Sequence, residues 1–191
     1  MSSAVIGFIG VLIGAFATII GQFIPYWIKK QGKAIICLKF VGDIRKGRPW
    51  GIYNTDQGLS FHVPLWIEIT NAKGVPLIIR NVSLSAFDNG SLVEDFTQIQ
   101  AVNGIKQGND EKYTFVIQGY DSQKYNLLYA LRQNEINGHD IDELRIEYAD
   151  VNNKVHRFHL MNIPDDFTWE PKEYDRPKEW IILEKEMKGN G

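Results

Sequence analysis

The sequence predicts a mainly β protein: a single N-terminal transmembrane α-helix, then an antiparallel β-sandwich of immunoglobulin-like shape with one short helix among its strands. A closed barrel is the competing architecture. Three observations point there. Residues 1–28 carry no charged side chain, and all 21 basic and 23 acidic residues follow them. From residue 33 onward, apolar and polar residues alternate in short runs, as they do in strands with one buried face. Turn signals separate those runs about every ten residues, too often for long helices.

Residues 1–3 are an N-terminal tail, and residues 4–28 form the expected helix. From Ala4 to Ile24 only Thr18 and Gln22 are polar. At 1.5 Å per residue this stretch covers roughly 31 Å, the thickness of a hydrocarbon core. A cleaved signal peptide fits poorly, because no basic residue precedes the run and the run continues past Ala15-Phe-Ala17. A core helix of a soluble domain rarely runs so far without a charge. Pro25 follows, and then Tyr26, Trp27, Lys29, Lys30 and Lys33 form an aromatic and basic collar. Such a collar suits the headgroup layer, so these five residues are the expected lipid contacts of a bilayer partner. Residues 29–33 are a basic juxtamembrane linker.

Basic residues near a span stay in the cytoplasm. Lys29, Lys30, Lys33, Lys39, Arg45, Lys46 and Arg48 face only Asp43 in this stretch. The expectation is a single-pass protein of the cell membrane, N-terminus outside and domain in the cytoplasm. Within the helix Gly7, Gly10, Gly14, Ala17 and Gly21 recur in a heptad rhythm of small residues. Helices in lipid associate through such close-packing faces, so a homo-oligomer through the helix is expected.

Residues 34–183 form the β-domain and 184–191 a flexible tail. The first strand is the apolar run 33–41. Phe61, Val63, Leu65, Ile67 and Ile69 alternate in the next, which Pro64 places at a sheet edge or makes begin there. Asn71–Gly74 reads as a turn into a partner strand over 78–86, closed by Asp88-Asn-Gly90. Further strands are expected at 96–102, 112–118, 143–149 and 154–161, the last two as a hairpin. Tyr125, Leu128, Tyr129 and Leu131 suggest a short helix over 122–133. Trp180–Leu183 is apolar enough to dock as a final strand.

The chemistry is sparse. Catalytic motifs are missing: no nucleophile elbow, phosphate-binding loop, dinucleotide glycine run, C-x-x-C or H-E-x-x-H occurs. No catalytic residues, metal ligands or cofactors are assigned. His156 and His159 lie three apart on a strand and so face opposite sides. The carboxylates around His139 and the pair Asp165-Asp166 read as solvated loop charge. Cys37 is the single cysteine, which excludes an intrachain disulfide, and it reads as a buried structural thiol. Trp66 lies on the opposite parity from the apolar face of its strand. A net charge of −2 and the lack of a basic face in the domain argue against nucleic acid.

The function expected from this inventory is a non-enzymatic binding or interaction module with an unknown protein or small-molecule ligand. An enzyme with dispersed site residues is one alternative. In layout, a membrane segment followed by a β-domain, the chain resembles bacterial antiphage effectors gated by cyclic nucleotides. That resemblance implies a domain that senses a signal molecule and a helix that then perturbs the bilayer.

Overall fold

The computed structural model describes residues 11, 15–16, 18, 20–21, 23–25, 27–43 and 47–183. Those between 11 and 30 are helical. Strands follow in the order β1 (Ala34–Phe40), β2 (Gly51–Thr55), β3 (Gly58–Asn71), β4 (Leu77–Asp88), β5 (Ser91–Asp95), β6 (Thr97–Gln98), β7 (Ala101–Val102), β8 (Ile105–Lys106), β9 (Phe115–Ile117) and β10 (Asp121–Arg132). A 3₁₀ turn at Gln133–Glu135 leads to β11 (Glu143–Ala149), β12 (Val155–Asn162), β13 (Lys172–Glu173) and β14 (Ile181–Ile182). Among the described residues no helix is long and apolar enough to cross a membrane. Most of the expected span Ala4–Ile24 lies outside the described residues, including Gly7, Gly10, Gly14 and Ala17 of the small-residue seam. Tyr26 and the tail 184–191 lie outside them as well.

Two antiparallel sheets face each other in a sandwich-like arrangement. The larger is built on β3, with β10 along one edge and β2 and β1 sharing the other; β13, β14 and β6 extend it. The smaller runs β12-β11-β4-β5, with β9 also paired to β4. Pro64 does not put β3 at an edge. The Pro64 carbonyl accepts from Val41 N–H at 3.1 Å, so its nitrogen faces the same side. There β2 has ended opposite His62 and β1 begins opposite Leu65. The proline stands at the change of partner, where its missing N–H costs no ladder bond.

Two further expectations are corrected. Residues 121–132 are a strand, not a helix, paired to β3 from Asp121↔Asn71 to Arg132↔Ser60. Tyr125, Leu127, Tyr129 and Leu131 alternate, and this period-2 pattern prevails because its inward side chains are buried against the opposing sheet. The short helical element is instead the turn that follows. The segments 61–69 and 78–86 are not a hairpin either: they belong to different sheets, and residues 72–76 cross between them. The hairpin that Asn89-Gly90 signals joins β4 to β5. Both residues have positive φ, 48° and 78°, as a type I′ turn requires. The hairpin of β11 and β12 and the docking of Trp180–Leu183, through β14 on β1, match the sequence reading.

The core lies between the sheets. Leu65, Ile67 and Ile69 of β3 meet Val82, Leu84 and Ala86 of β4 and Ile146 of β11 in one cluster. Each large side chain buried there stabilises the fold by about 1.5–3 kcal/mol. Tyr129 is fully buried, and its hydroxyl donates across the sandwich to the Val82 carbonyl at 3.0 Å. Burial drives its pKa well above the usual value. At one end Trp50 stacks on Tyr174 with centroids 4.6 Å apart, and Phe61 packs against Phe96 and Phe167 at 5.5 and 5.2 Å.

Candidate functional site

The outer face of the larger sheet is where polar chemistry gathers. Strand parity sends Ile36, Leu38 and Phe40 of β1 inward and Cys37 and Lys39 outward. The same alternation turns Trp66 and Glu68 outward on β3. The register then makes rows: Lys39, Trp66 and Asn126 lie side by side, and so do Ile182, Cys37, Glu68 and Lys124. Lys124 Nζ sits 4.0 Å from the centre of the Trp66 ring, and Lys39 Nζ lies 5.7 Å from that of Trp180. Indole and ammonium thus alternate across the sheet, each ring face lending negative potential to a cation.

Next to Trp66 opens a cleft of about 700 Å³, walled by Lys39, Gly42, Asp175, Arg176 and Lys178 among others. Three cations face one carboxylate there. The wall 175–178 is held from inside the domain. Trp50 donates its indole N–H to the Asp175 carbonyl at 2.9 Å, and Tyr174 N–H donates to the Trp50 carbonyl at 3.0 Å. The cleft offers a flat aromatic surface and positive charge, a pairing that suits an anionic group on a flat or apolar body. The sequence placed Trp66 outside the apolar parity of its strand but gave no sign of Arg176 and Lys178, because they reach the cleft only through the Trp50 anchor.

Cys37 departs from expectation: it is half-buried on this outer face, not in the core. Burial, and then the nearby Glu68 carboxylate, raise its pKa, so the thiol stays protonated and weakly nucleophilic.

The second notable region joins the helix to the sandwich. Trp27 is 69% exposed, and Lys29, Lys30 and Lys33 are exposed too. Of the small-residue seam, Gly21 is described: it is helical and exposed, with open space where a Cβ would stand. The helix end is not loosely tethered. Gly74 N–H donates to the Lys29 carbonyl at 2.7 Å, and Ala72 N–H to the Lys33 carbonyl at 3.0 Å. The loop after β3 therefore satisfies one of the carbonyls that a helix C-terminus leaves unpaired. Gly32 has φ +117°, and a Cβ there would lie 2.3 Å from the Ala72 carbonyl oxygen, so only glycine fits. Beneath this joint Asn71 is fully buried. Its amide donates to the carbonyls of Val75 and Gln118 at 2.8 and 3.0 Å, and its oxygen accepts from Lys73 N–H.

Several other titratable groups are engaged with neighbours. Glu143 accepts from Arg145 at 2.5 Å and pairs with His159 Nδ1 at 2.8 Å. The Arg145 hydrogen bond, aided by His159, holds the Glu143 carboxyl below its usual value. Asp142 accepts from Asn89 N–H at 2.8 Å, Asp150 pairs with His156 at 3.1 Å, and Asp166 pairs with Lys172. Among the described residues no group of three or more His, Cys, Asp or Glu side chains converges to hold a metal ion. No protein-family model matches the chain, and no curated protein matches it in sequence.

Proposed function

We propose that this chain is a non-enzymatic binding module, an immunoglobulin-like sandwich anchored in the cell membrane by its N-terminal helix, with its domain on the cytoplasmic side. One observation carries the anchor. Val11, Phe16, Phe23 and Trp27 are helical and between 63% and 70% exposed, with Ile20, Ile24 and Ile28 above 50%. An apolar surface of this extent marks a membrane or protein contact. The uncharged run 4–24 and the basic collar after it favour the membrane. The small-residue seam supports self-association through the helix. The cleft at Trp66 is the place where the domain takes an anionic partner.

Protease added to sealed inverted and right-side-out vesicles tests this, with crosslinking in parallel. The expected result is cleavage of the domain in inverted vesicles only, and a crosslinked oligomer that Gly10→Ile with Gly14→Ile abolishes. Release of the protein by alkaline washing, or cleavage from the outer face, overturns it. The hydrogen bond that joins the helix end to the sandwich favours a second reading, a membrane effector whose domain senses a signal and passes it to the helix. In that case expression with the signal is toxic and the same two substitutions relieve the toxicity; toxicity that survives them removes this reading.

A further inference from the structure

We infer that the end of the sandwich next to the helix is itself a lipid-binding surface, seating the domain against the headgroups of the bilayer that holds the helix. The inference rests on the anchor proposed above and adds a second, separate contact. Its centre is Tyr120, in the turn between β9 and β10. This tyrosine is 71% exposed and holds φ +59°, a conformation costly for a bulky side chain. Its N–H donates to the Lys73 carbonyl at 2.9 Å, which fixes the turn onto the loop after β3.

The ring lies over Gly74, close to the stem of Lys29. A Cβ on Gly74 would stand 2.9 Å from the Tyr120 hydroxyl and 3.1 Å from Lys29 Cγ. Tyr120 is thus level with the last turn of the helix. From Ile24, the end of the apolar run, to Lys29 the helix rises about 7–8 Å. The headgroup layer adds roughly 5–8 Å on each side of the hydrocarbon. With the helix upright, the Tyr120 ring therefore falls in the layer where tyrosine and tryptophan are enriched. Lys29 lies close to the ring, and the segments joined here also carry Lys30, Lys33 and Lys73, against Asp121. The Asp121 carboxylate already accepts from Ser122 N–H and Gln123 Nε2, both at 2.8 Å. The excess of positive charge suits anionic headgroups. Because the Gly74–Lys29 bond and the packing of Tyr120 near Lys29 tie this surface to the helix end, it stands beside the helix before any lipid binds.

The test uses the full chain with Cys37→Ser, reconstituted in vesicles of phosphatidylcholine and phosphatidylglycerol that contain a nickel-chelating lipid. Single nitroxide labels are placed through Tyr120→Cys, Lys73→Cys, Trp27→Cys and Leu92→Cys. Leu92 pairs with Phe87, about 34 Å along β4 from Leu77 at the helix end, and is the reference. Collision with the headgroup nickel is expected to be several-fold greater at positions 120, 73 and 27 than at 92. If position 27 meets the nickel while 120 and 73 match 92, the surface does not touch lipid and the inference falls alone. If position 27 also matches 92, the anchor falls with it.

Discussion

On the inner face of β3, Leu65, Ile67 and Ile69 are at most 1% exposed, whereas on its outer face Trp66 and Glu68 are half-buried and share their rows with lysines. One strand with alternating parity therefore serves two purposes. Its inner side contributes to the fold through apolar area, and its outer side carries charge and an aromatic plane. The difference teaches where substitutions should be read as stability and where as binding.

The largest effect belongs inside. Phe61→Ala should cost about 3–5 kcal/mol, because it empties the contacts with Trp50, Phe96 and Phe167. Denaturant unfolding measures it, and a loss below 1 kcal/mol would break the claim that the inner aromatics hold this end together. Asn71 is the polar terminus of the same inner face. Asn71→Ala should cost about 1–3 kcal/mol by leaving buried carbonyls unpaired, and it should speed proteolysis at the loops 72–76 and 118–120 before the rest of the domain.

Outside, Trp66→Ala should change stability by no more than about 1 kcal/mol. Its expected effect is on binding. Anilinonaphthalene sulfonate, an anion on a flat apolar body, is a suitable probe of the cleft. Arg176→Ala or Lys39→Ala should weaken it about two- to fivefold, as expected of solvent-exposed charge pairs. Equal binding by all three variants would remove the cleft as the recognition surface.

The smallest effect lies on the outer face of the other sheet. Glu143 has a lowered pKa in the folded state, so its contribution is present above the ordinary value of 4.5 and is lost as pH falls through the lowered folded value. Glu143→Gln should flatten that acid limb of the stability curve and leave stability above it less dependent on pH. An unchanged acid limb would show that the Arg145 and His159 contacts do not matter in solution.

Much of this fold was legible where a strand has one face in water. The alternation over 61–69, the hairpin of β11 and β12 and the Asn89-Gly90 turn all follow from local periodicity and φ preference. Three things were not. Pro64 suggested an edge because sequence cannot show that two strands share one side of β3 and leave a gap between them. The stretch 122–133 suggested a helix because Leu128 adds a buried apolar residue on the outer parity, which completes a helix-like spacing with Tyr125, Tyr129 and Leu131. The segments on either side of Asn71–Gly74 suggested a hairpin because a turn signal does not say whether the chain returns to the same sheet. At the candidate sites, Trp66 and the lysine collar were visible as residue types. Arg176, Lys178 and Tyr120 were not, since only tertiary hydrogen bonds bring them into place.

The position of β3 also bears on how the chain comes to be folded. The strand at the centre of the large sheet finds its longest partner, β10, far downstream; Ser60 and Leu131, which meet across the pair at 3.4 Å, are 71 residues apart. At ordinary rates of synthesis that interval lasts roughly 4 to 14 s. During it the nascent chain holds β1, β2 and β3 with one long apolar edge bare, the kind of edge that recruits other strands. Sheet closure must wait for the ribosome to deliver β10, which makes this interval the period of greatest exposure to misassembly and sets a slow, non-local step at the heart of folding.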